Sequence, residues 1–133
     1  MITCAKFEVV EMNKNNFSDV VSRHGIVLVE CWSPKCGGCR LTGPVFSRVS
    51  KHHVQHTFAR LDTLAEEALT NSLEVFHTPT LILYRDGILL FKQAGNSNEE
   101  RLEDILSQAE NLDMNAVRAD IEAARAAETP TAA

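Results

Sequence analysis

The sequence lacks several features that would place it outside the ordinary small globular proteins. None of its apolar runs approaches the ~20 residues that a membrane-spanning helix needs. Acidic residues outnumber basic ones, and the formal net charge of −5 leaves no basic footprint of the kind that nucleic-acid binding requires. The N-terminus has neither the basic start nor the apolar core of a secretory signal. We therefore expect a cytoplasmic protein that binds neither nucleic acid nor membrane.

The sequence also lacks a second Cys-x-x-Cys pair. The chain has four cysteines in 133 residues and a single Cys-x-x-Cys pair, Cys36 and Cys39. Structural zinc usually takes four ligands, often from two such pairs, so the sequence disfavours a zinc site here. In a reducing compartment, cysteines serve catalysis or metal binding more often than structural bridges. The length predicts one domain with its own core, and we favour a monomer.

The cysteine pair lies at a predicted junction between a strand and a helix. An apolar, β-branched run at residues 26–29 predicts a buried strand, which continues through Trp32 into a short loop at 33–35. A helix is predicted at about 40–53. A thiol at a helix N-terminus faces unpaired backbone N–H groups and the positive end of the helix dipole, which favours its thiolate. This layout is typical of a dithiol redox site, where one thiolate attacks a disulfide and the other resolves the mixed disulfide.

Periodicity along the rest of the chain predicts alternating strands and helices. Strands at 80–84 and 88–93 flank a hairpin turn at Arg85-Asp86-Gly87. The order β-α-β-α-β-α-β-β-α predicts an α/β sandwich with helices on both faces of a mixed central sheet. The remaining predicted segments are strands at 6–10 and 57–61 and helices at 13–22 (Asn13 as N-cap), 62–73 and 98–111 (capped by Asn96-Ser97).

Residues 113–128 form an alanine-rich segment with Val117, Ile121 and Ala124 at helical spacing. The apolar stripe is thin, so the segment is either a solvated, loosely docked extension or a partner-binding helix, and we expect the former. Residues 129–133 are expected to be disordered.

Several residues resemble the landmark positions of the thioredoxin family. They occur in the family's order and at similar separations, over residues 5–111: Trp32, Cys36-Gly37-Gly38-Cys39, Pro44 in the helix, Thr78-Pro79-Thr80 and Gly95. The resemblance implies a three-layer α/β/α fold for a domain at 1–111, followed by an extension at 112–133. It also implies a thiol–disulfide oxidoreductase that reduces protein disulfides, is re-reduced by a thioredoxin reductase-type donor and needs no cofactor.

The resemblance also assigns roles to individual residues. Cys36 would be the exposed nucleophile and Cys39 the more buried resolving thiol. Glu30 occupies the place of a buried Asp beneath the resolving cysteine; burial would raise its pKa, so that it could relay a proton to or from Cys39. The rival interpretation of Glu30 is a strand-end carboxylate that reaches solvent. Pro79 resembles a cis-proline facing the dithiol, which would turn the Thr78 backbone toward an extended substrate segment.

The remaining predicted contacts concern substrate binding. Trp32 matches an aromatic residue beside the site, and Gly95 resembles a glycine that lets the substrate backbone approach closely. Lys35 stands where many relatives have a second Trp, which brings a cation next to the nucleophile and removes a flat apolar surface. Gly37 and Gly38 separate the cysteines, and Gly38 replaces a proline common among relatives. Both glycines loosen the loop and the first helical turn.

An iron–sulfur protein is a rival interpretation of the cysteines. Cys31, Cys36 and Cys39 have the spacing of the first three ligands of a plant-type [2Fe–2S] ferredoxin, although the only spare cysteine, Cys4, lies upstream rather than downstream. Strand alternation points Cys31 away from the face of its neighbour Glu30, which favours a small buried hydrophobe. A redox protein dedicated to one partner and a non-catalytic interaction module on the same fold also stay open.

Histidines cluster at the predicted end of the second helix, at His52, His53 and His56. Cations are favourable at the negative end of a helix dipole. A metal site would need a further ligand that the sequence does not identify, so we expect solvated helix-end histidines. His77, beside Thr78, is expected near the dithiol.

Overall fold

A computed structural model describes residues 9–128, and these form a central sheet with helices on both faces. The strands are β1 (Val10–Glu11), β2 (Ile26–Trp32), β3 (Thr57–Asp62), β4 (Thr80–Arg85) and β5 (Ile88–Ala94). The helices are α1 (Phe17–Val21), α2 (Cys39–His52), α3 (Glu67–Ser72), α4 (Glu99–Glu110) and α5 (Met114–Glu128).

The sheet is mixed, as the element order predicts. Its strand order is β1-β3-β2-β4-β5. Strand β3 pairs in parallel with both β1 and β2, while β4 pairs antiparallel with β2 and β5. The central position of β2 explains its continuous apolar run, since a strand covered on both faces needs no polar alternation. Its carboxyl end leads directly to the dithiol loop.

Alternation along β2 divides the core into two clusters. Val27, Val29 and Cys31 join a cluster that includes residues of α1 and α3. Ile26 and Leu28 join the opposite cluster, formed with α2 and α4. The larger side chains of this second cluster are Phe46, Val49, Phe58, Leu81, Leu83, Leu102, Ile105 and Leu106. Glu30 and Trp32 follow Ile26 and Leu28 at alternate positions of β2, so they lie on this second face and are directed toward α2.

Two predicted helices are shorter than expected because side chains form turns at their starts. Asn13 caps a turn ahead of the helix: its Oδ1 accepts from the backbone N–H groups of Asn15 and Asn16, at 2.8 and 2.9 Å, and its carbonyl accepts the Phe17 N–H at 2.9 Å. The α-helix itself, α1, begins only at Phe17. Asp62 similarly accepts from the N–H groups of residues 64 and 65, so α3 begins at Glu67. Short Asn and Asp side chains compete with the helix for backbone donors in this way.

The predicted hairpin turn between β4 and β5 is confirmed. Asp86 and Gly87 have positive φ angles of 54° and 80°, which a tight two-residue turn of this hand requires. The predicted first strand falls mostly outside the described residues, as do Cys4 and the terminal segment 129–133; within 9–128 it is represented by Val10–Glu11.

The segment after α4 forms a helix, α5, that is exposed over most of its length. Met114 is its one buried residue, and the Arg118 guanidinium lies 3.3 Å from the carboxylate of Asp86 in the hairpin turn. The segment is thus helical and docked at its start. Among residues 9–128, no helix is both long and apolar enough to cross a membrane.

Candidate active site

The two cysteines lie at the start of α2, as predicted, and form a disulfide with a Cα–Cα distance of 5.4 Å. Cys36 is partly exposed, whereas Cys39 is 5% exposed. The Cys36 sulfur accepts the backbone N–H of Cys39 at 3.1 Å. This bond places Cys36 Sγ against the free donors of the helix N-terminus, the environment that stabilises a thiolate when the pair is reduced.

Asn96 holds the first turn of α2 from outside. Its Nδ2 donates to the Gly38 carbonyl at 2.8 Å and lies 2.9 Å from the Thr42 hydroxyl. A Cβ at Gly38 would lie 2.9 Å from Asn96 Oδ1 and 3.3 Å from Pro79 Cδ. The lack of a side chain at Gly38 therefore lets Asn96 and the proline loop approach the dithiol closely. The prediction that Asn96-Ser97 caps the fourth helix is wrong, because Asn98 is the residue whose side chain caps α4.

The proline loop has the predicted conformation, with a cis peptide bond between Thr78 and Pro79. The Pro79 carbonyl accepts the N–H of Gly95 at 2.8 Å, and Gly95 has a φ of 109°, which favours glycine. Together with the Gly38 contact, this bond brings the predicted residues of three separate segments to one end of the sheet.

Glu30 is buried rather than solvated. It is 0% exposed, and Arg60 Nε donates to its Oε1 at 3.0 Å. The pair arises from strand register, since Glu30 and Arg60 are direct partners across β2 and β3. The solvent-reaching interpretation of Glu30 is therefore wrong, and the residue faces α2, as alternation along β2 requires.

The second Glu30 oxygen, Oε2, has no hydrogen-bond partner among residues 9–128. Burial raises the pKa of the Glu30 carboxyl above its ordinary value, and the charge and hydrogen bond of Arg60 oppose that rise. A buried carboxyl with one satisfied oxygen is poised to hold a proton on the other. This is the property that a proton relay beneath a dithiol needs.

Arg60 is a residue of the candidate site that the sequence patterns did not reveal. Its guanidinium lies 4.3 Å from the centroid of the Trp32 ring, in cation–π contact. Arg60 and Trp32 line one cleft with Cys36 and Cys39. A basic residue between the apolar Ala59 and Leu61 of the predicted strand was the available signal.

The rim around the dithiol is more apolar than the predicted contacts indicate. Lys35 is exposed, and the Gly37 carbonyl accepts the N–H of Arg40 in the turn that starts α2. Leu64 and Phe76, 55% and 76% exposed, line a groove together with Ser33, His77 and Thr78. Leu41, in the first turn of α2, is 74% exposed. Large exposed apolar side chains thus line a groove that shares Ser33 with the dithiol cleft.

Cys31 lies apart from the dithiol cysteines. It is 0% exposed and packs in the apolar cluster on the α1 and α3 side of the sheet. Burial raises the pKa of its thiol to about 12, with the Glu30 charge acting in the same direction. A thiol on the opposite face from a bonded Cys36–Cys39 pair does not form an iron–sulfur site with it, so the iron–sulfur interpretation is wrong.

The histidines at the end of α2 are only partly solvated. His52 is exposed as expected, but the side chains of His53 and His56 are 18% and 9% exposed. Each of these two pairs with a glutamate of α4. Their expected solvation is therefore wrong, because α4 packs over them.

Comparison with known proteins identifies the family that this chain resembles in sequence and in fold. The family model described as Thioredoxin matches residues 8–108. Putative thioredoxin 2 from Streptomyces coelicolor is 34% identical over 109 residues, which cover 82% of this chain and 81% of that protein. Bifunctional thioredoxin reductase/thioredoxin from Mycobacterium leprae is 35% identical over 72 residues, 53% of this chain and 16% of that protein. The solved structure of a mutant thioredoxin from Halobacterium salinarum superposes with a TM-score of 0.75 and 25% identity, covering 84% of this chain and 99% of that one. Helix α5 lies beyond the residues that the family model matches.

Proposed function

Since this chain belongs to the thioredoxin family of thiol–disulfide oxidoreductases, we propose that Cys36 is its attacking thiolate and Cys39 its resolving thiol. The observation that carries the assignment is the contrast in exposure at the start of α2. Cys36 is partly exposed and accepts the Cys39 N–H, whereas Cys39 is 5% exposed. Only the exposed sulfur can meet a disulfide on another protein.

The proposed reaction proceeds in two exchanges. The Cys36 thiolate attacks one sulfur of a substrate disulfide, that S–S bond breaks, and the departing substrate thiolate takes a proton. The Cys39 thiolate then attacks Cys36 Sγ, which releases the second substrate thiol and leaves the Cys36–Cys39 disulfide. Two electrons and two protons from a reductase restore the dithiol. The family match supports disulfide substrates and a thioredoxin reductase as the electron donor.

Glu30 is proposed to accept the proton of Cys39 before the second exchange. Burial raises its pKa above the ordinary carboxyl value, which makes it a stronger base than a solvated glutamate. Arg60 stabilises the charged carboxylate that the step requires, and it also lines the cleft beside Cys39. The pair therefore combines a buried proton acceptor with a counterion at the rim.

The substrate is proposed to lie across the proline loop and the apolar rim. Thr78 shares a groove with Leu64 and Phe76, which offers an extended peptide both backbone and apolar contacts. The rest of the proposed contact surface consists of Trp32, Lys35, Gly37, Gly38, Pro79 and Gly95. Lys35 and the exposed helix α5 favour a member with a narrow choice of partner. The division into a domain at 1–111 and an extension, the monomeric state, the cytoplasmic location and the exclusion of nucleic acid and membrane stay predictions.

The test is turnover of a generic protein disulfide by protein supplied with dithiothreitol. Cys36→Ser is expected to abolish turnover, and Cys39→Ser to accumulate a mixed disulfide between Cys36 and the substrate. Mass spectrometry identifies the trapped bond. Retained activity in Cys36→Ser would reverse the assignment of the nucleophile. An inactive wild-type chain on every disulfide tried would leave a non-catalytic interaction module as the better description.

A further inference from the structure

A second cluster of chemically reactive side chains lies at the other end of α2 from the dithiol. His53 and His56 follow the last turn of this helix, and Glu110 is the last residue of α4. One ligand atom from each of these three residues lies within 4.8 Å of the other two. We propose that His53, His56 and Glu110 bind a divalent transition-metal ion, with Glu103 orienting the His53 ring.

The donor set suits zinc. Two imidazoles and one carboxylate are a ligand combination that zinc takes in proteins, with a solvent molecule in the fourth position. Tetrahedral bonds of about 2.0–2.1 Å separate the ligand atoms by roughly 3.4 Å. His56 Nε2 and Glu110 Oε2 lie 2.6 Å apart as a hydrogen-bonded pair, so this pair must separate before both atoms bind zinc. The Glu110 side chain is 39% exposed and can move outward. The net charge of −5 also favours a cation over an anion.

The two histidines and the backbone of Glu110 are held in place before any ion binds. His56 N–H donates to the His53 carbonyl at 3.0 Å, and the two rings stack with centroids 5.8 Å apart. The Arg85 guanidinium donates to the carbonyls of Ala109 and Glu110, which fixes the end of α4. Arg85 is bound to backbone there and does not neutralise the Glu110 carboxylate. The two histidines therefore lose little conformational freedom when the ion binds.

Glu103 supplies the contact that metal-bound histidines usually have. Its Oε1 lies 2.7 Å from His53 Nε2. A ligating imidazole commonly donates its other ring N–H to a carboxylate, which fixes the ring and makes the ligand more basic. Glu103 is in this sense a positioning residue for His53.

A neighbouring group, His52 with Glu99 and Glu103, is the weaker site. Arg48 Nε already donates to Glu99 Oε1 at 3.0 Å, so a cation competes for that carboxylate. His52 also contributes the only imidazole of that group. The two groups are separable by mutation, because His52 and His56 each belong to one group.

The test uses the full chain without a histidine tag, in a Cys4→Ser background and with the Cys36–Cys39 disulfide intact, so that no thiolate pair competes for metal. Zinc affinity is measured by competition with a chromogenic chelator. Cobalt(II) is added in parallel, because its visible bands report the geometry of the site. We expect one saturable zinc per chain and, at free zinc of about 100 times Kd, a Tm higher by roughly 10 °C.

His56→Ala is expected to weaken zinc binding at least 100-fold, and Glu103→Gln about 10- to 100-fold. The matched control is His24→Ala, because His24 also lies against a carboxylate, that of Asp86 at 3.4 Å, but belongs to neither group. Circular dichroism without metal shows that each variant is folded, and Glu110→Gln, which keeps the side-chain shape, replaces any that is not. No saturable binding by the unmutated cluster overturns the proposal, as does loss of binding in His52→Ala but not in His56→Ala.

Discussion

The two faces of strand β2 show how one strand builds an inert core and a reactive site from alternate residues. Toward α1 and α3 it directs Val27, Val29 and Cys31, all of them 0% exposed in an apolar cluster. Toward α2 it directs two apolar residues and then Glu30, an equally buried carboxylate. Neighbouring positions in the sequence thus enter opposite environments because side chains alternate across a strand.

The comparison teaches that burial has opposite consequences on the two faces. Burial raises the pKa of the Cys31 thiol to about 12 and so suppresses its thiolate. Burial also raises the pKa of Glu30, but there it favours a carboxyl that holds a proton on its unpaired Oε2. The difference is Arg60, which donates a hydrogen bond directly to the Glu30 carboxylate. The Lys92 charge also opposes the rise at Cys31, but its ammonium donates to backbone carbonyls.

The largest loss of stability is expected from removing Arg60, the counterion of Glu30. Arg60→Ala leaves the fully buried Glu30 without its ion-pair partner, and breaking a buried pair on one side costs about 3–5 kcal/mol. We expect a loss of about 3 kcal/mol in the free energy of unfolding at pH 8, measured by urea denaturation. The loss should shrink as the pH falls, because a protonated Glu30 needs no counterion.

The matched control for Arg60→Ala is Arg48→Ala. Arg48 also donates from Nε to a glutamate at 3.0 Å, but its side chain and that of Glu99 are 54% and 44% exposed. Exposed pairs contribute about 0–1 kcal/mol. Equal losses in the two variants would show that Glu30 is less isolated than its burial indicates.

Replacing Glu30 is expected to have the opposite effect on stability from replacing Arg60. A carboxyl whose pKa is raised by folding is most favourable below its ordinary pKa of 4.5, and this advantage is lost as the pH rises through the folded value. Glu30→Gln removes the cost of the buried charge, so we expect a stability gain of about 1–3 kcal/mol at pH 8 that fades toward pH 4. Thermal unfolding at a series of pH values measures it.

The same variant is expected to be slower, because it lacks the proposed proton acceptor for Cys39. Stopped-flow measurement of mixed-disulfide resolution should show a loss of about 100-fold at pH 7, in the range of general-base catalysis. Unchanged resolution across the pH range, alongside the stability gain, would mean that Glu30 shapes the site without moving a proton.

Local signals in the sequence were enough for the strand, the loop and the dithiol. The apolar run of β2, the cysteine spacing and the Thr-Pro pair each depend on residues that are close together in the chain. Arg60 was missed because its role depends on the register between β2 and β3, which pairs it with Glu30 thirty residues away. No local pattern specifies that register.

Asn96 was placed wrongly for a related reason. Asn96 and Asn98 are both favourable N-cap residues, and local propensity does not choose between them. The choice depends on α2, which offers Asn96 the Gly38 carbonyl, 58 residues away in the chain. Partners for His53 and His56 likewise come from α4, so their burial followed only from tertiary packing.

Removing the Asn96 side chain, which contacts the first turn of α2, has a smaller expected effect on the free energy of unfolding. Asn96→Ala removes two contacts to the first turn of α2, with the Gly38 carbonyl and the Thr42 hydroxyl, for a loss of about 1–2 kcal/mol. It should also shift the reduction potential, measured by equilibration with glutathione, because that turn carries both cysteines. Asn98→Ala is the control: it removes the α4 cap at a similar cost but should leave the potential unchanged.

The smallest expected effect comes from the apolar side. Cys31→Ala removes one buried sulfur, so we expect a loss of about 1 kcal/mol from the small cavity and unchanged disulfide turnover. With a pKa of about 12, only about one Cys31 in ten thousand is ionised at pH 8. In the folded, reduced protein, iodoacetamide should therefore alkylate Cys36 and leave Cys31 unmodified, as peptide mapping would show. Alkylation of both at similar rates would mean that this face opens readily to solvent. The contrast between the two faces would then depend on local unfolding rather than on packing.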